Sequence, residues 1–186
     1  MILTQEHLDF ENFCRQLIGL TIIKVEYAEV AYEPTNPKPY YSTSFKNLDS
    51  VDFSIFFHTD TRKLVEIYWD GKFFQYGIGV KIDEPSSISG SVKWDVSGGE
   101  LWKRFIGKTI VDTLISWETV TMTSATWKKD KFTYPQDLKI AFSNGRHIFI
   151  SAAGFLNQGD EVVHGMHDNL MVTDDEELAR QVKMIK

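Results

Sequence analysis

The chain has almost no cysteine, and that shortage removes several classes of protein at once. Cys14 stands alone among 186 residues, which excludes an internal disulfide and any metal site built from several thiolates. Long apolar runs are also missing. None approaches the roughly 20 residues that a membrane-spanning helix needs, and Glu6, Asp9 and Glu11 interrupt the opening segment where a secretory signal would be uniformly apolar. The expected location is therefore the cytosol, with no membrane partner. Basic charge is scarce as well: 20 Lys and Arg stand against 26 Asp and Glu, a net charge of −6. The densest basic cluster, Lys128-Lys129-Asp130-Lys131, is broken by an acid. Phosphate-backbone binding relies on a basic stripe that releases counterions, so nucleic acid is not the expected partner. An acidic protein is better matched to a basic protein surface.

Sequence signatures of catalysis are equally sparse. There is no G-x-S-x-G elbow and no phosphate-binding loop, and Gly77-Ile78-Gly79 is too short for a dinucleotide fingerprint. Cys14 falls within an apolar helical stripe, which makes it an inert core thiol rather than a nucleophile. No cofactor is expected.

What the chain does have is aromatic residues, 13 Phe, 7 Tyr and 5 Trp, and a pattern that occurs twice. Thr4 is placed to cap a first helix, with Leu3 and Leu8 as a hydrophobic staple. Phe10, Phe13, Cys14, Leu17 and Ile18 then form a stripe at helical spacing, and Gly19 sits where a left-handed C-cap belongs. The same signals recur in order: Ser97 and Glu100 as a capping box, Leu101, Trp102, Phe105 and Ile106 as a stripe, and Gly107 as the stop. Ile18-Gly19-Leu20-Thr21-Ile22 thus matches Ile106-Gly107-Lys108-Thr109-Ile110.

Alternation then predicts strands, with Ile23, Val25 and Tyr27 on one face and Val111, Thr113 and Ile115 on its counterpart. Asp52–Phe57 overlays Asp137–Phe142, turns follow at 58–62 and at Ser143-Asn144-Gly145-Arg146, and strands return over 63–69 and 147–152. A last strand in each half is expected near 73–82 and 169–173. The predicted fold is α+β: an internal duplication of an α-β-β-β(-β) unit, antiparallel sheets with helices packed on their faces, and a short C-terminal helix. The first repeat spans 1–83, a linker rich in Pro, Ser and Gly spans 84–99, and the second repeat spans 100–186, the two packed as one compact body. The C-terminal helix starts at Asp174, capped by Thr173 with Glu176, with Leu178, Val182 and Ile185 on its apolar edge.

Two long connections, 33–50 and 123–137, fall at equivalent places in the two units. They carry Tyr40, Tyr41 and Phe45 in the first, and Trp127, Phe132 and Tyr134 in the second. Loops on a rigid scaffold are where binding concentrates, and Tyr and Trp are enriched at interface hot spots. Tyr40, Tyr41, Trp127 and Tyr134 are therefore the candidate anchors, with Asp160, Glu161 and Asp168 as acidic contributors. Two other readings stand beside this one: the aromatics fold back over the sheet, or 124–134 is itself a hairpin. The weak metal candidate is His164, His167 and Asp168. His164-Gly165-Met166-His167 lacks the i, i+4 spacing of a helical zinc pair and signals no further ligand.

A small, acidic, nearly cysteine-free chain of duplicated α+β halves, closing on "GDEVVHGMHDNLMVTDDEELARQ", resembles the immunity proteins that accompany bacterial polymorphic and contact-dependent toxins. The resemblance covers the general character of the whole chain and carries no functional residue with it. It implies stoichiometric inhibition of a cognate protein toxin, basic where the toxin acts on nucleic acid. The alternative is a small-ligand-binding or metal-dependent enzyme centred on His164, His167 and Asp168. A third is an adaptor that oligomerises through an exposed strand edge.

Overall fold

The structure, a computed structural model, describes residues 3–86, 88, 90–123, 129–157 and 159–186. Helix α1 spans Gln5–Cys14 with Thr4 at its N-cap. The Thr4 backbone N–H donates to His7 Nδ1 at 3.1 Å. A single 3-10 turn, Arg15–Leu17, continues the chain to Gly19, whose φ of +90° reverses it as a residue without Cβ can. His7, Phe10, Cys14 and Leu17 face inward, whereas Leu8 and Ile18 remain exposed.

Ten strands follow among the described residues, each paired antiparallel. The first sheet contains β1 (Ile22–Glu29), β3 (Ser54–Thr59), β4 (Leu64–Asp70), β5 (Gly77–Ile82) and β6 (Val92–Asp95), in the order β5-β4-β3-β1-β6. The second contains β2 (Leu48–Val51), β7 (Ile110–Thr123), β8 (Lys129–Phe142), β9 (His147–Gly154) and β10 (His164–Thr173), in the order β2-β10-β9-β8-β7. Helix α2 (Glu176–Gln181) closes the chain. Its N-cap is Asp175, which accepts from the Leu178 N–H at 3.0 Å, and not Thr173.

One core serves both sheets. Val25, Tyr27, Ile55, Phe57 and Ile67 from the first meet Leu138, Ile140, Phe142, Ile150 and Val172 from the second, with α1 contributing Phe10 and Cys14. A smaller cluster under α2 joins Leu48, Phe149, Met171, Ala179 and Val182. Burial pushes the Cys14 thiol up to about 12, consistent with an inert core sulfur.

Three local expectations change. The stretch 98–107 forms consecutive turns and no regular helix. Ser97 does not cap it, because its Oγ accepts from the Val25 N–H at 2.9 Å. Leu101, Trp102 and Phe105 are nevertheless buried as the stripe requires. Bulges between Ile22 and Lys24 and between Ile110 and Asp112 then turn Ile23 and Val111 outward. The ladders pair Ile22 with Thr59 and Ile110 with Phe142, two residues away from the register that the expected overlay of Phe142 on Phe57 requires. A slip of two keeps the side-chain parity, and Ile55, Phe57, Leu138 and Ile140 all stay inside.

The two connecting stretches do more than connect. β6 lies within 84–99 and extends the first sheet, while β2 leaves the first half to border β10 in the second. The matched Gly-x-Thr-Ile segments lie side by side. The Gly19 N–H donates to the Ile110 carbonyl at 2.9 Å and the Gly107 N–H to the Ile22 carbonyl at 2.7 Å. The Ile22 N–H donates to the Lys108 carbonyl at 3.2 Å and the Ile110 N–H to the Leu20 carbonyl at 2.9 Å. Thr21 and Thr109 meet at the centre, their hydroxyl oxygens 3.0 Å apart.

Candidate functional site

The β2–β10 register sets Leu170 beside Val51. Next to that pair β10 departs from its neighbour β9: Gly165 faces Ala153, Leu170 faces Ala152, and Met166, His167, Asp168 and Asn169 bulge between them. Gln136 holds the bulge in place, its Oε1 accepting from the Met166 N–H at 3.1 Å. A Cβ on Gly165 would lie 2.5 Å from that oxygen, so the close approach requires glycine there. Asp168 is thereby carried to the turn after β2, where Asp52 lies.

Across this junction stand two tyrosines from the connection after β1. Tyr32 is 57% exposed and Tyr40 46%, and their rings meet edge to face at 5.1 Å. Partial desolvation, then Asp52, Glu29 and Asp168, push the Tyr32 hydroxyl up to about 12. The Tyr40 hydroxyl donates to Glu33 at 3.0 Å and its backbone N–H to Glu29 Oε2 at 3.1 Å. The arrangement is an exposed aromatic pair ringed by Glu33, Asp52 and Asp168, with Glu29 beneath.

The supports under the pair are themselves acidic. Glu29 is 1% exposed, and burial together with Asp52 and Asp49 raises it to about 7 although the Tyr40 N–H opposes this. The Trp94 indole faces the same carboxylate, yet neither Trp94 Nε1 nor Glu29 Oε1 completes a hydrogen bond. Burial raises Asp49 to about 6 against the stabilising Tyr27 hydroxyl, which donates to it at 2.9 Å and accepts from Trp102 Nε1 at 2.5 Å.

The sequence candidates divide. Tyr40 and Asp168, far apart in the chain, come to one face. Tyr41 turns inward, packing edge to face on Tyr27 at 5.0 Å. Tyr134 is 3% exposed, on a strand. The second aromatic connection is a hairpin over much of its length, with β7 and β8 paired as far as Thr123 and Lys129. Phe132 stacks on Phe74 at 4.4 Å, so this aromatic serves packing. Trp127 lies outside the described residues. Asp160 closes a turn by accepting from the Asn157 N–H at 2.8 Å, and Glu161 is exposed beside it.

His164 is exposed, and His167 packs over Gly154 with its Nδ1 3.0 Å from Asp168 Oδ1 in a geometry that makes no hydrogen bond. Among the described residues no group of three or more His, Cys, Asp or Glu side chains is placed to hold a metal ion. None of the helices described is long and apolar enough to cross a membrane.

Tyr32, Asp52 and Glu29 escaped sequence reasoning. Tyr32 adjoins the Pro-rich stretch that signalled a loop, but only the pairing of β2 with β10 brings Asp168 to it. Compared with protein-family models, curated proteins and solved structures, the chain gives no match, so its function is argued from this arrangement alone.

Proposed function

We infer that the protein is a binding protein of the immunity type, which docks the Tyr32–Tyr40 face onto a basic protein toxin domain and inhibits it stoichiometrically. The observation that carries this reading is the convergence of an exposed aromatic pair with Glu33, Asp52 and Asp168. Tyrosine offers large contact area with little conformational entropy to lose, and a ring of carboxylates steers a basic partner and penalises an acidic one. The reading extends to the scaffold as a duplicated unit. It is supported by the reciprocal bonds between the Gly-x-Thr-Ile segments and by the bulge that follows each.

The test begins with the tagged protein recovered from its native host. A basic protein should accompany it in 1:1 ratio, and saturating amounts of the purified protein should abolish that partner's activity. Tyr32→Ala with Tyr40→Ala and Asp168→Lys should weaken the complex at least tenfold, with a melting temperature close to that of the parent. A partner held equally well by the triple variant, or active when saturated, overturns the proposal.

A further inference from the structure

A second polar centre lies farther across the same second sheet, over β7 to β10, in a cleft of about 470 Å³. That is the size of a small-molecule site. The bulge between Ser116 and Trp117 in the β7–β8 ladder leaves Gln136 without a partner position, so Gln136 and Asp137 are both brought to bear on the cleft. Asp137 is 6% exposed. Its Oδ1 accepts from the Ser151 hydroxyl at 2.5 Å, and Oδ2 has no hydrogen-bond partner among the described residues. Gln136 is fully engaged, with Nε2 donating to Ser151 Oγ and to the Ala152 carbonyl, both at 2.8 Å. Asp137 and Glu118 are therefore the acceptors left to a ligand, and Tyr134, Val120 and Met166 supply the apolar wall.

The cleft already shows what it takes. The Lys186 ammonium rests on Glu118 Oε1 at 2.6 Å, with the lysine side chain 85% exposed. The same charge acts on Asp137, while Glu118 and burial work against that carboxylate's ionisation. A lysine whose side chain is so exposed is a weak occupant of such a position. Exposed ion pairs hold their partners by about 1 kcal/mol or less. A free amine of similar size can displace it and reach deeper toward Asp137 Oδ2.

We propose that this cleft binds a small aliphatic primary amine, its ammonium between Glu118 and Asp137 and its hydrocarbon part against Tyr134 and Met166, in the place where Lys186 now sits. Primary ammonium fits better than a quaternary one, because both acceptors need N–H donors. A neutral alcohol of the same length lacks the charge that two carboxylates require.

The probe is 1-aminopentane, titrated calorimetrically into the full chain at pH 8 and low salt. Lys186→Met should bind it at least fivefold tighter than the parent protein. Adding Glu118→Gln or Asp137→Asn to Lys186→Met should weaken binding at least tenfold. 1-Pentanol and tetramethylammonium should give no heat and should not compete. Glu118 is partly exposed, so Glu118→Gln preserves the fold and decides the matter should Asp137→Asn melt early. Equal affinity of parent and Lys186→Met, or amine binding undiminished by Glu118→Gln, overturns the proposal. So does competition by tetramethylammonium.

Discussion

Glu29 has one carboxylate oxygen satisfied by the Tyr40 N–H and one without a hydrogen-bond partner among the described residues, and this half-solved position gives stability a pH dependence. Its value is raised from 4.5 to about 7 by folding. A carboxylate raised in the folded state favours folding most fully below its unfolded value and loses that contribution as pH climbs through the folded one. Stability should therefore fall between about pH 4.5 and pH 7, with Glu29 contributing on the order of 3 kcal/mol to the decline. Asp49, raised to about 6, adds to it over a lower window. Glu29→Gln should flatten the upper part of the curve when unfolding free energy is measured by denaturant at half-unit steps. An unchanged slope would show that Glu29 ionises as freely when folded as when unfolded.

Gly165 makes the opposite kind of demand, on space alone. Gly165→Ala should cost about 1–3 kcal/mol, because Gln136 cannot retreat without giving up its bonds to Ser151 and Ala152. A melting temperature within a degree of the parent's would contradict that. Neither feature was legible in the sequence, where Glu29 shares the alternating face of Val25 and Tyr27 with no partner signalled and Gly165 is only a spacer between two histidines. The roles of both depend on a neighbour far along the chain.

At the scale of elements, the paired Gly-x-Thr-Ile segments are the clearest case of sequence pattern becoming structure. Gly19 and Gly107 both take positive φ, +90° and +74°, and each has open space where a Cβ would lie. Substitution there meets backbone strain and nothing else. Gly19→Ala and Gly107→Ala should each cost about 1 kcal/mol, and by similar amounts. Chemical denaturation of the two variants checks this, and a difference of several kcal/mol between them would deny the two positions equivalent roles.

The helix expected over 97–106 shows where such reading stops. Its stripe was right and its backbone was not, since Ser97 is drawn to the Val25 N–H and the segment only has to bury Leu101, Trp102 and Phe105. Hydrophobic spacing specifies which side chains go inside more firmly than it specifies the turns that carry them. Tyr134 was misplaced for a related reason. The sequence left a loop anchor and a hairpin residue both open for it, and the β7–β8 pairing decides for the strand.

For the whole molecule, the core that both sheets share argues for a single cooperative unit. Trp102 is fully buried against Tyr27, Phe57 and Phe105, at ring separations of 6.3, 5.4 and 6.1 Å. Trp102→Ala should destabilise by about 3–5 kcal/mol. It should lower one calorimetric transition without splitting it, because no part of that core belongs to one sheet alone. Two separated transitions would mean that the sheets melt independently.

The α+β class and the antiparallel pairing followed from alternation and turn signals. The crossing of β2 and the addition of β6 to the first sheet did not, because four-residue strands carry too little pattern to name their partners. β2 has a further consequence during synthesis. Leu48–Val51 leaves the ribosome long before its neighbour β10, His164–Thr173, is made. Until then the strand has an unclaimed edge, and the second sheet cannot close around the nascent chain. The face bearing Tyr32, Tyr40 and Asp168 comes into being only once β10 has been made and paired, so a partner that reads all three can recognise closed sheets and pass over chains that have not reached that point.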